Sequence, residues 1–299
     1  IPAYIAVVLR ISARYDNLDT IEEGYGISLR PLQTFAHQFY NDDPCNLFKP
    51  KAGADNLSKM QLKTVKKIHK AISIIQFKLE GQIVQRNPDF EMDDRLLLDK
   101  INYEEGTITI DGEVFPLKDD NFPTIDPQNP YQLSEEEEEL MKKLIRSFKR
   151  SEKLQKHVDF LYSNGSMYLA YNNNLLYHGA IPMNDKGKFV KIEVDGKKVS
   201  GKEFIDRLDR IARRAYYQDG NRIEKDRDTM WYLWCGPQSP LFGKQKMATF
   251  ERYFVEDKKT HKEHRNPYYD FRNDEEKMKM ILEEFGCDAD TGHIVNGHV

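Results

Sequence analysis

Two histidines stand where a strand can hand a side chain to a metal. His178 closes the apolar run Leu175-Leu176-Tyr177 and precedes Gly179, while His298 follows Ile294-Val295 and is preceded by Gly297. An imidazole at a strand exit, with a glycine clearing space beside it, can offer a ring nitrogen to a divalent cation. Taken singly, each is more often a hydrogen-bonded core histidine. His293 lies five residues before His298, with no requirement that it face the same way. Between the two comes Met230-Trp231-Tyr232-Leu233-Trp234-Cys235-Gly236-Pro237, expected as an apolar strand ending in a tight turn. Lys244, Lys246 and Arg252 follow. By themselves these three most often serve as ordinary surface charge.

The other histidines carry less. His37, His69 and His157 fall on predicted helices without a second ligand at i+3 or i+4, so surface or internally satisfied positions are expected. His261 and His264 form H-x-x-H in a charged stretch. That spacing suits zinc, yet a solvated helix face is the expectation. The chain contains no G-x-x-x-x-G-K-[ST], no G-x-G-x-x-G after a strand, no H-E-x-x-H and no G-x-S-x-G. Nucleotide-loop, dinucleotide and serine-hydrolase readings lose their usual support.

These residues must be positioned by 299 residues with 45 Lys+Arg, 49 Asp+Glu and a net charge of −4. That balance argues against general nucleic-acid or anionic-membrane binding, which needs a basic excess. No apolar run reaches the ~18 residues of a membrane helix. The opening segment to Leu9 lacks a basic start and reads as buried structure rather than a signal peptide. The sequence does not start with Met, so the expectation is that it does not begin where its gene begins. Three widely spaced cysteines (Cys45, Cys235, Cys287) make neither a disulfide framework nor a zinc ribbon, and point to a reducing cytoplasm.

The patterning predicts a mixture of helices and hairpins, an α/β or α+β class. Pro31 opens a short helix over 31–40. Asp55 is placed to cap a helix over 57–80, whose apolar Leu62, Val65, Ile68, Ile72, Ile75 and Leu79 predict an amphipathic face. Asp111-Gly112 within 106–117 and Asp195-Gly196 within 190–199 predict hairpins, as does Asn172-Asn173-Asn174 within 166–178. Ser134 with Glu137 is a capping box for a helix over 134–150, and Ser200 with Glu203 for another. The acidic run Glu135 to Glu139 is then a solvated first turn rather than a metal site. A short helix from Glu276 should stop at Gly286.

The order of a His-Gly strand exit, a Leu-Trp-x-x-Pro turn and a second histidine exit resembles the calcineurin-like dinuclear metallophosphatases. More closely, the chain resembles the class III fructose-1,6-bisphosphatases of Gram-positive bacteria. The resembling blocks run along nearly the whole chain. They include Ala13-Arg14-Tyr15-Asp16-Asn17-Leu18-Asp19-Thr20, Gly24-Tyr25-Gly26-Ile27, Ile75-Gln76-Phe77-Lys78-Leu79-Glu80-Gly81-Gln82 and Asp94-Arg95-Leu96-Leu97-Leu98-Asp99-Lys100-Ile101. They continue with Leu176-Tyr177-His178-Gly179, Trp231 to Pro237, Thr249-Phe250-Glu251-Arg252-Tyr253-Phe254 and Asn296-Gly297-His298-Val299.

The resemblance implies hydrolysis of fructose 1,6-bisphosphate in gluconeogenesis, supported by a two-metal Mn²⁺ site in a cytoplasmic enzyme. It makes His178 and His298 the late ligands of one metal, makes Lys244, Lys246 and Arg252 candidate cations for the phosphate of the bisphosphate that is not cleaved, and leaves a homo-oligomer open. It implies a partial α/β/β/α sandwich: core over 1–54 and 161–299, with a mainly helical insertion over 55–160. The family's D-x-H, G-D-x-x-D and G-N-H-[DE] motifs, which carry the catalytic histidine, do not occur. The chain therefore reads as an internal fragment with an incomplete metal site, since two imidazoles cannot replace the carboxylates hard cations need. It is expected to be inactive alone and to leave an open sheet edge beside exposed apolar surface. A phosphatase for another sugar phosphate or a phosphoprotein, or a non-catalytic interaction module, are the alternatives.

Overall fold

A computed structural model describes residues 1–218 and 222–297. In chain order its helices and strands are α1 (Pro2–Arg14), α2 (Arg30–Phe39), α3 (Lys59–Arg86), β1 (Ile101–Asn102), β2 (Thr107–Ile110), β3 (Glu113–Pro116), α4 (Glu135–Arg150) and α5 (Glu152–Asn164). There follow β4 (Tyr168–Tyr171), β5 (Asn174–Tyr177), β6 (Ile192–Val194), β7 (Lys197–Val199), α6 (Gly201–Tyr217), α7 (Ile223–Cys235), α8 (Thr249–Phe254), α9 (Tyr268–Phe271), α10 (Glu275–Glu284) and β8 (His293–Val295). The class is mixed α/β. The chain forms two compact units, 1–159 with 248–262, and 160–247 with 263–299.

The first unit is built on α3. Its N-cap is Ser58 rather than Asp55, because Ser58 and Gln61 form a reciprocal capping box one turn later. Helix α3 packs against α1 and α2, and from Lys67 to Val84 it is buried nearly all round. The predicted polar face is therefore not solvated. Lys70 pairs with Asp43 at 2.5 Å and Asp119 at 2.7 Å, and Lys78 pairs with Glu137 at 2.7 Å. Gln76 accepts from Arg10 at 2.7 Å. These three α3 side chains each have a partner, which is the condition for burying them. Ser134 and Glu137 cap α4 as the spacing predicts. The Asp111-Gly112 hairpin forms with both residues at positive φ, 52° and 81°, the signature of a type I′ turn.

The second unit holds a three-stranded sheet of order β4-β5-β8, with β4 and β5 antiparallel and β5 and β8 parallel. The Asn172-Asn173 turn closes β4 on β5, both residues having left-handed φ. Period-2 alternation sorts the two faces. Leu175 and Tyr177 point into a core shared with Phe204, Leu208, Ile281 and Tyr268. Leu169, Leu176 and Val295 lie in one cross-strand row on the other face, where they stay exposed, as does Tyr171. This sheet thus carries an exposed apolar row on one of its faces. Replacing Leu169 and Leu176 together by Thr should move stability by no more than about 0.5 kcal/mol while reducing dye binding and self-association. A loss above about 2 kcal/mol in urea titration would show that the row is buried after all.

The apolar run that starts at Met230 is not a strand. It forms the second half of α7, which packs on α6. A continuous apolar run does not distinguish a core strand from a buried helix, and the acids at its start decide the matter. Glu224 and Asp226 sit in the first turn, at the positive end of the helix. Asp226 is also gripped by two Arg214 nitrogens at 2.7 and 2.8 Å. Ser200 occupies the N-cap of α6, but its side chain makes no capping hydrogen bond, and Glu203 instead binds Arg207. Helix α10 ends as predicted before Gly286, at φ 78°. Asp195-Gly196 turns β6 into β7. All three cysteines are buried, and none is in a disulfide.

Candidate functional site

His178 is carried one residue past the end of β5, the central strand of its sheet. Its neighbours Tyr177 and Gly179 are buried and its own side chain is exposed. It lines a cleft of about 720 Å³ together with Tyr168, Leu169, Leu176, Asn296 and Gly297. The cleft floor is thus mostly apolar, with polar groups gathered where β5 and β8 end.

The main chain around His178 is held at successive points. The Gly297 N–H donates to the His178 carbonyl at 3.2 Å, extending the parallel β5–β8 pairing by one step. The Asn296 side-chain amide donates to the Gly179 carbonyl at 2.7 Å and to the Tyr268 hydroxyl at 2.9 Å. The Ala180 N–H donates to the Pro240 carbonyl at 3.0 Å. The Tyr268 and Tyr177 hydroxyls are hydrogen-bonded at 2.7 Å. Burial pushes both hydroxyls above the usual tyrosine range, so both stay neutral and one donates to the other.

His298 lies outside the described residues. The strand leading to it, β8, forms where Ile294-Val295 predicts one. Lys244 is bound to Glu263 at 3.0 Å, which neutralises much of the charge a phosphate would need. Lys246 is half-buried, and neither lysine lines the cleft beside His178. Arg252 is exposed and belongs to the other unit, where its guanidinium donates to the His261 carbonyl at 3.2 Å.

The segment ending at Pro237 is a helix terminus. Gly236 is required there by proximity: a Cβ would sit 2.4 Å from the Tyr232 ring. The Tyr232 hydroxyl accepts from the Gln238 N–H at 3.0 Å, and the Ser239 hydroxyl donates to the Leu233 carbonyl at 2.6 Å. The motif therefore locks the loop after α7.

The remaining histidines behave as internally bonded or surface groups. His37 meets Thr64, and His157 meets Tyr25. His69 is fully buried, with Nδ1 2.9 Å from the Phe48 carbonyl and Nε2 2.7 Å from the Tyr253 hydroxyl. His261 bonds the Val255 carbonyl at 2.9 Å, from a 3₁₀ turn rather than a long helix face. Among the described residues no group of three or more His, Cys, Asp or Glu side chains could hold a metal ion. The described residues therefore do not fit a metal centre by themselves. The Asn296–Tyr268–Tyr177 group was not foreseen from the residues. Tyr177 adjoins His178 and Asn296 stands two residues before His298, but nothing in the pattern around Tyr268 ties it to either.

A family model described as Firmicute fructose-1,6-bisphosphatase matches residues 2–299. The class 3 fructose-1,6-bisphosphatase of Clostridium botulinum (strain Kyoto / Type A2) is 56% identical over 299 residues, covering 99% of this chain and 45% of the relative. The Clostridium novyi (strain NT) protein of the same description is also 56% identical, with the same coverage. That of Alkaliphilus metalliredigens (strain QYMF) is 58% identical over 302 residues, again covering 99% of this chain and 45% of the relative. The chain thus spans about half the length of the curated relatives it matches. No solved structure matches it.

Proposed function

Because this chain belongs to the Firmicute fructose-1,6-bisphosphatase family, we propose that it is part of a protein that hydrolyses fructose 1,6-bisphosphate to fructose 6-phosphate and phosphate. The observation that carries this reading is the family match along 2–299. On this reading the protein is a metal-dependent phosphatase of gluconeogenesis, using Mn²⁺ and working in the cytoplasm. No helix among the described residues is long and apolar enough to cross a membrane.

His178 and His298 are proposed as metal-facing residues. Exposure of His178 at a strand exit, on the rim of a cleft, supports its share of that role. The proposed architecture is the calcineurin-like sandwich, with 1–54 and 161–299 contributing core and 55–160 a mainly helical insertion. The sheet that carries His178 and exposes one apolar face supports the core assignment for the second half. Of the proposed substrate contacts, Lys246 and the exposed Arg252 remain the stronger, because Glu263 already engages Lys244.

The test is phosphate release from fructose 1,6-bisphosphate, with and without Mn²⁺. The chain over 1–299 should release none above background, since its described residues do not assemble a metal site. The full-length protein should show Mn²⁺-dependent release, reduced by at least about 100-fold by His178→Ala. Arg252→Ala should raise KM several-fold in the same protein. Activity of the 1–299 chain on its own would overturn the incomplete-site reading. A full-length protein that binds Mn²⁺ yet ignores this substrate would redirect the reading to other phosphate esters.

A further inference from the structure

We propose that Asn296 is a positioning residue that holds the His178 corner in one place. The inference rests on the reading of His178 as a working residue of the phosphatase. Its basis is a closed hydrogen-bonded circuit around that corner. Asn296 has two amide hydrogens, and both are used: one on the Gly179 carbonyl, the other on the Tyr268 hydroxyl. The Tyr268 hydroxyl is bonded in turn to Tyr177. Tyr177 and Gly179 are the residues on either side of His178. The circuit therefore holds the Tyr177 side chain before the histidine and the Gly179 main chain after it, and leaves the His178 side chain exposed to the cleft.

The corner needs such a grip. The paired register of β5 and β8 ends at Leu176 and Val295. Beyond it lie two glycines, Gly179 and Gly297, which have the most backbone freedom to lose. One hydrogen bond, Gly297 N–H to the His178 carbonyl, continues the pairing. At the end of a parallel ladder a single slanted bond frays readily. Asn296 supplies the second link, and it reaches from one strand exit to the other. Tyr268 is 1% exposed and anchored by its N–H to Asn266, so the circuit is tied to the core rather than to the surface.

The chemistry of the circuit selects its test. Asn296→Asp is nearly isosteric but places carboxylate oxygens against the Gly179 carbonyl oxygen, where a donor is required. In the 1–299 chain, amide exchange at Gly297 should accelerate at least about tenfold, while the Leu175 amide inside the sheet changes little. Tyr268→Phe, which keeps the Gly179 contact, should give a smaller acceleration. In the full-length protein Asn296→Asp should lower kcat for fructose 1,6-bisphosphate by about 10- to 100-fold, with KM nearly unchanged. His178→Ala is run beside it. Unchanged exchange at Gly297 overturns the circuit. Faster exchange with native kcat, while His178→Ala abolishes turnover, overturns the positioning role and leaves only a structural one. Native turnover in His178→Ala removes the phosphatase reading of His178 and the positioning role that rests on it, whatever the exchange data show.

Discussion

Lys78→Met should destabilise the first unit by about 3–5 kcal/mol. Lys78 and Glu137 are both inaccessible to solvent and sit 2.7 Å apart. Burial pushes the Lys78 amine below its usual value, and the Glu137 carboxylate draws it back up. Lys78 also donates to the Thr124 carbonyl, while the same Glu137 oxygen accepts the Ser134 N–H that begins α4. Removing the amine strands a buried carboxylate and an unpaired carbonyl, and both are costly. A domain stability of about 5–15 kcal/mol would lose a large share. The double variant Lys78→Met/Glu137→Gln should recover most of the loss, because an uncharged amide still accepts the Ser134 N–H. Urea titration of the three proteins decides it. A single-variant cost below about 1 kcal/mol, or no recovery in the double variant, would mean that the pair is not buried as described.

Mild acid should destabilise the native protein through His69. The Phe48 carbonyl can only accept, so Nδ1 of His69 carries the hydrogen. Nε2 then accepts from the Tyr253 hydroxyl, which itself accepts from Arg14 at 3.0 Å. Burial pushes His69 down to about 3. An unfolded histidine takes up its proton near pH 6.5. Between those values the unfolded chain binds more protons than the folded one, so stability rises with pH. The contribution is complete above pH 6.5 and is lost as the pH falls, by about 1.4 kcal/mol per pH unit. From pH 7.5 to 5.0 this group alone should cost about 2 kcal/mol. His69→Asn keeps a donor near the Nδ1 position and cannot titrate. Its stability should be lower at neutral pH and should fall by about 2 kcal/mol less over that interval. Equal pH dependence in the two proteins would show that His69 is protonated without penalty.

These two sites also mark where pattern reading and structure part. Local signals were legible in the residues. The Asp111-Gly112 and Asp195-Gly196 turns, the Ser134–Glu137 cap and the stop at Gly286 depend on a few neighbouring backbone groups, and all appear where the residues place them. The strand exit at His178 and the β8 strand before His298 were legible for the same reason. The polar face of α3 was not. Lys70 and Lys78 are exposed residues by composition, and only carboxylates arriving from Asp43, Asp119 and Glu137 make their burial tolerable. The apolar run before Cys235 predicts a strand but forms a helix, since hydrophobicity without periodicity fits a buried helix equally well.

What the sequence by itself determined is therefore its family, its mixed α/β class, its turns and caps, and the presentation of His178 at a strand end. What only the tertiary structure decided is which distant groups meet. Asn296 spans to Gly179 across 117 positions, and Tyr177 meets Tyr268 across 91. Glu263 takes the charge of Lys244 from 19 residues away. Local backbone sterics and capping act over a few residues and leave a trace in spacing. Pairing between distant side chains is set by the packing that brings them together, and spacing alone holds no record of it.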